Sequence, residues 1–421
     1  MTTPEPARES RCPAHPAGLD PVALSGPRFH TEPHQLYREM RREHGPVVPV
    51  ELPGGIPAWL IVSYHEMHQV TSDPELFPRD VSLWNQWPNI PDDWPLLPMI
   101  QKPQPSIYFT AGEAHRRHAS LVVPALESVD PFELRHACEQ LSDQLIDAFC
   151  SRGEAELVSE FAKPLPVLAL ARLLGYTESD GAAVARALGE LVDGGEGAMR
   201  AHQEYLALNH QLIKNKRVEP GDDVTSWMLA QDGFTEEEVA LNIKDVMGAA
   251  FVTTADWIGN SIRLMLTDDR FAAALGGGRH SVGQAMNEVL WEDTPTQILA
   301  GRWAARDTLL AGQQIRAGDL VMLGLAAANA DPLIQQQFAP SQGGNSAHFS
   351  FSHGEYRCPL PAQEIAEIIA RTAIEVLLDR LPDVDLAVPA QTLVRRPSTF
   401  LRGMTAIPVR FTPNRPTGDQ P

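Results

Sequence analysis

A chain of 421 residues is long enough to bury a cofactor in a core of its own, whether as several small domains or one large one. Its formal charge of −20, without any Lys/Arg-rich run, lacks the electrostatic footprint that binding a phosphate backbone requires, so nucleic acid is excluded as a partner. The Pro-rich, polar start MTTPEPARESRCPAHPAG has neither the apolar core of a signal peptide nor a spanning run of about 20 residues, so a soluble, cytoplasmic protein without a membrane anchor is expected.

Residues 1–20 read as a disordered tail. Leu36, Tyr37 and Met40 at helical spacing predict a helix over 29–46, ended by Gly45-Pro46. Strands Val47–Leu52 and Ala58–Ser63 follow across Pro53-Gly54-Gly55, and Tyr64–Ser72 turns helical. From Arg79 to Phe109 the pattern dissolves into a long Pro-rich connection carrying Trp84, Trp87, Trp94 and Tyr108. Long loops in compact domains are usually functional or disordered, and a disordered linker rarely spends so many tryptophans, so a packed loop is expected.

Residues 131–150 and 161–176 are helical by periodicity, whereas 178–219 varies between helix and Gly-rich turns. Pro220-Gly221 is a break, and Asp222-Asp223 favours the positive end of a new helix. A long apolar run from Val239 to Leu266 carries MGAAFVTTADWIGN. In Arg302–Val321, Gly312 and Gly318 sit at turns, Glu364–Asp379 reads as a helix, and 413–421 as a tail.

The four cysteines, Cys12, Cys138, Cys150 and Cys358, show no C-x-x-C spacing, so neither a zinc site nor a disulfide framework is indicated. Cys358 lies in HFSFSHGEYRCPLPAQEIAEIIA, between a glycine-bearing loop and a periodic helix. Taken alone it reads as a buried, inert cysteine. As a thiolate it is a soft ligand suited to iron, with Gly354 letting a loop approach a flat cofactor edge-on and Phe351 giving an apolar face beside the sulfur. The frame Phe351-x-x-Gly354-x-x-x-Cys358 resembles the haem-ligand loop of the cytochrome P-450 family, and the resemblance covers roughly 20–412.

That resemblance implies a mainly α protein with small β-sheets, the cytochrome P-450 fold, in a single large domain over 21–412. It implies haem b (iron protoporphyrin IX) with Cys358 as its metal ligand, clamped by His115, Arg117, Arg302 and His348; the alternative for the charges near residue 115 is a solvated helix face. Val239–Leu266 becomes the helix crossing the oxygen-binding face, where Gly248, Ala249 and Ala250 permit close approach, and Arg302–Val321 the strand pair that flanks the haem. Thr253 becomes the alcohol that organises proton delivery, or else a mid-helix threonine bonding its own turn. The 79–109 loop is either the aromatic wall of the substrate pocket or an anchor to the core. The implied activity is a monooxygenase that oxidises a small or medium apolar organic molecule, of secondary-metabolite type, with O2 and electrons from a ferredoxin and ferredoxin reductase.

The chain departs from the family pattern at named places. Ala119 stands where a second clamp arginine is usual, Val252 where an acid precedes the threonine, Tyr356 where Arg or His is usual, and Pro359-Leu360-Pro361 where a glycine follows the cysteine. His118 is the candidate to compensate for Ala119; for the acid, either Thr254, Asp256 or water substitutes, or turnover is slow, or the oxygen chemistry differs from simple hydroxylation. Trp291 replaces the arginine three residues after Glu288, and 339–347 holds no arginine either, as in an actinobacterial subgroup that departs at the same place. Glu288 is then expected to be protonated, or bonded to backbone and the Trp291 indole, because a stranded buried charge is costly. These losses keep a second reading open, a catalytically impaired haem-binding sensor or interaction protein.

Overall fold

Prolines and glycines set the first breaks. Pro33 occupies a first-turn position, where its missing N–H costs nothing, so the single helix expected over 29–46 is two: α1 (Pro27–Thr31) and α2 (Pro33–His44), ended by Gly45 at φ 80°. The computed structural model describes residues 20–417 except 25, 98, 101–102, 194–196, 270, 273–281 and 338–344. The tail expected over 1–20, most of the 339–347 stretch and the last residues lie outside them.

Strand β1 (Val22–Ala23) leads to β2 (Val47–Leu52) and β3 (Ile56–Ile61), which pair antiparallel from Val47 opposite Ile61 to Leu52 opposite Ile56. The helix α3 (Tyr64–Ser72) follows, and the next long helices are α4 (Gly112–Glu127) and α5 (Pro131–Asp147). A short strand β4 (Glu154–Glu156) precedes a wide turn at Val158–Ala162 and α6 (Pro164–Leu174), so the helix expected over 161–176 starts at its proline and stops at Gly175, φ 87°. Helices α7 (Glu178–Asp193) and α8 (Ala198–Val218) fill the stretch read as mixed. In α9 (Val224–Leu229) the Asp223 carboxylate caps the start by accepting from the Ser226 N–H at 2.8 Å.

The longest element is α10 (Glu236–Thr267), opened by a reciprocal capping box between Thr235 and Glu238. After α11 (Val282–Glu292), β5 (Leu299–Trp303), β6 (Thr308–Leu310), β7 (Gln313–Ile315) and β8 (Leu320–Leu323) form the strand region expected over 302–321. Then come α12 (Leu325–Asn329), α13 (Pro332–Gln337), α14 (Leu360–Arg380), β9 (Asp385–Leu386) and β10 (Pro408–Arg410). The main sheet has the order β1-β2-β3-β8-β5; β4-β10-β9 and β6-β7 make two small ones.

One apolar cluster joins α10, α11, α14 and the β4-β10-β9 sheet, and a second joins α4, α6 to α10 and the start of α14. A third lies on the main sheet and takes in Trp84 and Trp94. The tryptophans of the 79–109 loop therefore anchor it: Trp84 and Trp94 are buried, Trp94 donates its indole N–H to Pro53 O at 2.7 Å, and Trp87 donates to Val81 O at 2.7 Å. No helix among the described residues is long and apolar enough to cross a membrane.

Candidate active site

Polar residues fasten α10 at both ends. Towards its start, Asn242 accepts the Ile107 N–H at 2.9 Å, while the buried Asp245 carboxylate accepts from the Ser106 hydroxyl and, at 3.4 Å, from the Tyr108 N–H. Towards its end, Trp257 donates to Met286 O and Asn260 to Asp293 O and Arg402 O. Between these ties, Gly248 and Ala249 are exposed although they sit mid-helix, and a Cβ built on Gly248 meets nothing within 4 Å. The middle of the longest helix thus faces open space.

The cysteine loop is tight. Ser352 (φ 61°) and Gly354 (φ 77°) are both left-handed, and the Cys358 N–H donates to Phe351 O at 3.0 Å. A Cβ on Gly354 would lie 1.9 Å from Thr71 O, so this glycine serves the close approach of the α3 backbone rather than the cofactor edge expected for it. Phe351 packs edge-on to Trp257, ring centroids 6.0 Å apart. Pro359 and Pro361 suit their places, just before and inside the first turn of α14, so the missing glycine does not disturb the loop. Cys358 lies deep in the fold yet keeps accessible surface, which marks it as facing an internal void. Burial pushes its thiol up to about 12, with the Arg79 charge opposing. Metal coordination is what would make such a sulfur a thiolate.

Around the void the cations divide. Arg302 leaves β5 at an irregular register beside Gly301 (φ 124°), a bulge that aims its side chain inward; it is 1% exposed. Its guanidinium lies 4.7 Å from the Tyr356 ring centroid, and its Nε and Nη2 have no acceptor. Burial, then the like charge of Arg79, lowers its pKa. His115 is buried edge-on to Tyr356, centroids 4.8 Å apart, and donates from Nδ1 to Ile107 O at 3.0 Å. Burial lowers the pKa of this imidazole too.

Arg117 does not join them. Two residues along α4 its side chain faces outward, pairing with Glu238 at 2.6 Å and covering the Phe234 ring, so it fastens α4 to the start of α10. Arg117 thus leaves the clamp expected from sequence. The His348 ring meets Trp291 edge-on at 5.8 Å and Phe351 of the cysteine loop at 6.0 Å, its Nδ1 is buried without a partner, and burial lowers its pKa to about 4. Arg79, which the sequence reading passed over, sits with Arg302: buried, 4.1 Å over the Tyr108 ring, with its Nε unpartnered. It lay in a stretch without periodicity, and its only signal was a cation directly after the apolar Leu76-Phe77-Pro78.

Two buried guanidiniums that make no ion pair among the described residues, with the Asp245 carboxylate acting on Arg79 only from beyond contact, are a costly arrangement unless an anion meets them. The site therefore fits a flat metal cofactor that carries acidic groups at one edge and presents its metal to Cys358.

Thr253 donates to Ala249 O at 2.7 Å, bonding its own turn. Asp256 is not the substitute for the acid missing at Val252: it is buried against Arg396 at 2.6 Å, and burial pushes it up to about 6. Thr254 is buried with its hydroxyl unpartnered. The expected Glu288–Trp291 bond is absent as well. The Trp291 indole donates to Asn345 O at 2.8 Å, joined there by Asn287 Nδ2 at 3.0 Å, while Glu288 has no partner among the described residues.

No family model matches the chain. It is 31% identical over 408 residues to the vitamin D(3) 25-hydroxylase of Pseudonocardia autotrophica, covering 94% of this chain and 98% of that protein. It is 28% identical over 410 residues to the polyketide biosynthesis cytochrome P450 PksS of Bacillus subtilis, covering 92% and 98%. Among solved structures, CYP154A1 from Streptomyces coelicolor superposes with a TM-score of 0.81 at 26% identity, over 93% of this chain and all of that one.

Proposed function

The chain belongs to the bacterial cytochrome P-450 family of haem-dependent monooxygenases, and on that premise we propose that it oxidises a small or medium apolar organic molecule of secondary-metabolite type in the cytoplasm, with electrons from a ferredoxin and its reductase. The observation that carries the reading is Cys358, deep in the fold yet accessible, on a loop that packs Phe351 against Trp257 of α10. Haem, in its b form here, supplies O2 activation when bound. Every other task falls to the protein.

Cys358 would hold the haem iron through its sulfur, which a loop fixed by the Cys358 N–H bond to Phe351 O presents. Arg302 offers two free N–H groups to a cofactor carboxylate, and His115 has Nε2 left to add once an anion raises its pKa. Thr253, with its own proton given to Ala249 O, keeps its oxygen lone pairs to accept from a water. Beside Val252 and with Asp256 committed elsewhere, threonine and water hold the proton at this point of the helix. The substrate side is the exposed middle of α10, where Gly248 and Ala249 leave open space.

The purified protein, reduced with dithionite and exposed to carbon monoxide, should show a strongly red-shifted main absorption band, lost in Cys358→Ala. An unshifted band in the wild type, or an unchanged one in the variant, refutes the thiolate assignment. Thr253→Ala should keep the band while product formed per electron consumed falls at least about tenfold.

A further inference from the structure

We propose that Arg79 is the second cation of the cofactor's carboxylate clamp, standing in for the arginine that Ala119 replaces; the proposal rests on the haem-thiolate reading above. Three ties place it. The Trp303 N–H donates to Pro78 O at 3.1 Å and the Ala305 N–H to Leu76 O at 2.9 Å, so the segment leading into Arg79 is stitched to the end of β5. Tyr108, the ring under the guanidinium at 4.1 Å, is itself held by Asp245 through its N–H. Gly301, next to Arg302, leaves the Arg79 Nε uncrowded, since even an added Cβ would stay 3.6 Å away.

The chemistry then selects the ligand. Arg79 is 8% exposed, makes no ion pair among the described residues and has an orphaned Nε; Arg302 is 1% exposed with two orphaned nitrogens. Tyr108 and Tyr356 offer only π faces to the two guanidiniums, and the Asp245 carboxylate that acts on Arg79 from beyond contact is bonded to the Ser106 hydroxyl and the Tyr108 N–H. Two like charges buried near one another are settled by a ligand with two negative groups close together, and the paired carboxylates of haem meet that requirement. From α4, Ala119 offers only a methyl and Arg117 points to Glu238. Position 79 therefore supplies from a loop what helix α4 lacks.

The test uses the haem-loaded protein. Haem transfer to excess apomyoglobin is timed for wild type, Arg79→Ala, Arg79→Lys and Arg79→Met, and the propionate bending bands are read by resonance Raman in each. Arg79→Ala and Arg79→Met, the latter keeping an unbranched apolar stem against Tyr108, should lose haem at least about tenfold faster and shift a propionate band. Arg79→Lys should recover most of the rate. Unchanged loss and unchanged bands in Arg79→Met overturn the proposal. So does faster loss with unmoved bands, which assigns Arg79 to packing alone. Should Arg79→Ala fail to fold, the Met and Lys variants decide the matter. A wild type that takes up no haem defeats the underlying reading, and does so before any variant is made.

Discussion

Gly354 shows how one position can be read correctly in sequence for a reason that only the fold supplies. The spacing to Cys358 was legible, because a loop of fixed length carries its own signature; the 1.9 Å approach to Thr71 O was not, because α3 lies nearly three hundred residues upstream. Gly354→Ala should cost about 2–4 kcal/mol, from a left-handed φ and from overpacking against backbone that cannot yield, as measured by denaturant or thermal melts. The same limit explains the clamp. His115 and Arg302 stand at motif positions and turn to the buried Tyr356, whereas Arg117 occupies a motif position but turns to Glu238. His348 also gives a pH prediction with a definite sign. Its pKa in the fold, about 4, lies below the ordinary 6.5, so folding favours the neutral ring. That contribution is complete above 6.5 and lost as pH falls from there through about 4; His348→Gln should flatten the acid branch of the stability curve in that window.

At the scale of elements, periodicity found the longer helices α5, α6, α10 and α14 and the β2–β3 pair, but left α7 and α8 mixed and had no signal for short elements such as β1, β4, β9 and α12, and the remaining errors sit where a proline or a tertiary contact decides. Pro33 divided a helix, and Pro164 delayed another. The loop over 79–109 had no period to read, so its tryptophans could be assigned to the core only once Pro53 and Val81 were seen as their acceptors. Helix α11 carries the sharpest departure from the family. An arginine's absence was plain in the sequence; what replaced it was not, since Asn345 lies 54 residues further on. Trp291 and Asn287 together hold that carbonyl, tying α11 to the segment that runs into the cysteine loop. Restoring the family residue with Trp291→Arg should therefore give no gain in thermal stability but a loss of about 2 kcal/mol or more, because the indole bond and its packing on His348 go and a buried cation arrives. A higher melting temperature in that variant would mean that Glu288 is its waiting partner.

Across the whole molecule, Asp293 joins parts that no local pattern connects. Its carboxylate meets Arg263 of α10 at 2.8 Å, Arg402 at 2.6 Å, and Arg395, so the end of α10, the exit from α11 and the C-terminal segment share one buried hub. Burial would raise this acid, yet Arg395, Arg402 and Arg263 outweigh it and hold the carboxyl well below the usual carboxylate range. Its stabilising contribution is present above the ordinary aspartate value near 4 and is lost as pH falls through the depressed one. Asp293→Asn should cost about 3–5 kcal/mol at neutral pH, measured by equilibrium unfolding, since three guanidiniums lose their common anion.

Helix α10 is fastened at both ends and bare in the middle, and this reverses the ordinary order in which a helix comes apart. Helices usually fray from their termini, where hydrogen bonds are fewest. Here the termini are locked by the Thr235 capping box and by the Asn260 and Trp257 bonds, while Gly248 and Ala249 have no neighbour to lean on. Amide hydrogen exchange on haem-free protein should run fastest near 248–253 and slow towards both ends. Bound haem and substrate should then protect that short window more than any other part of the helix, making it a direct reporter of occupancy.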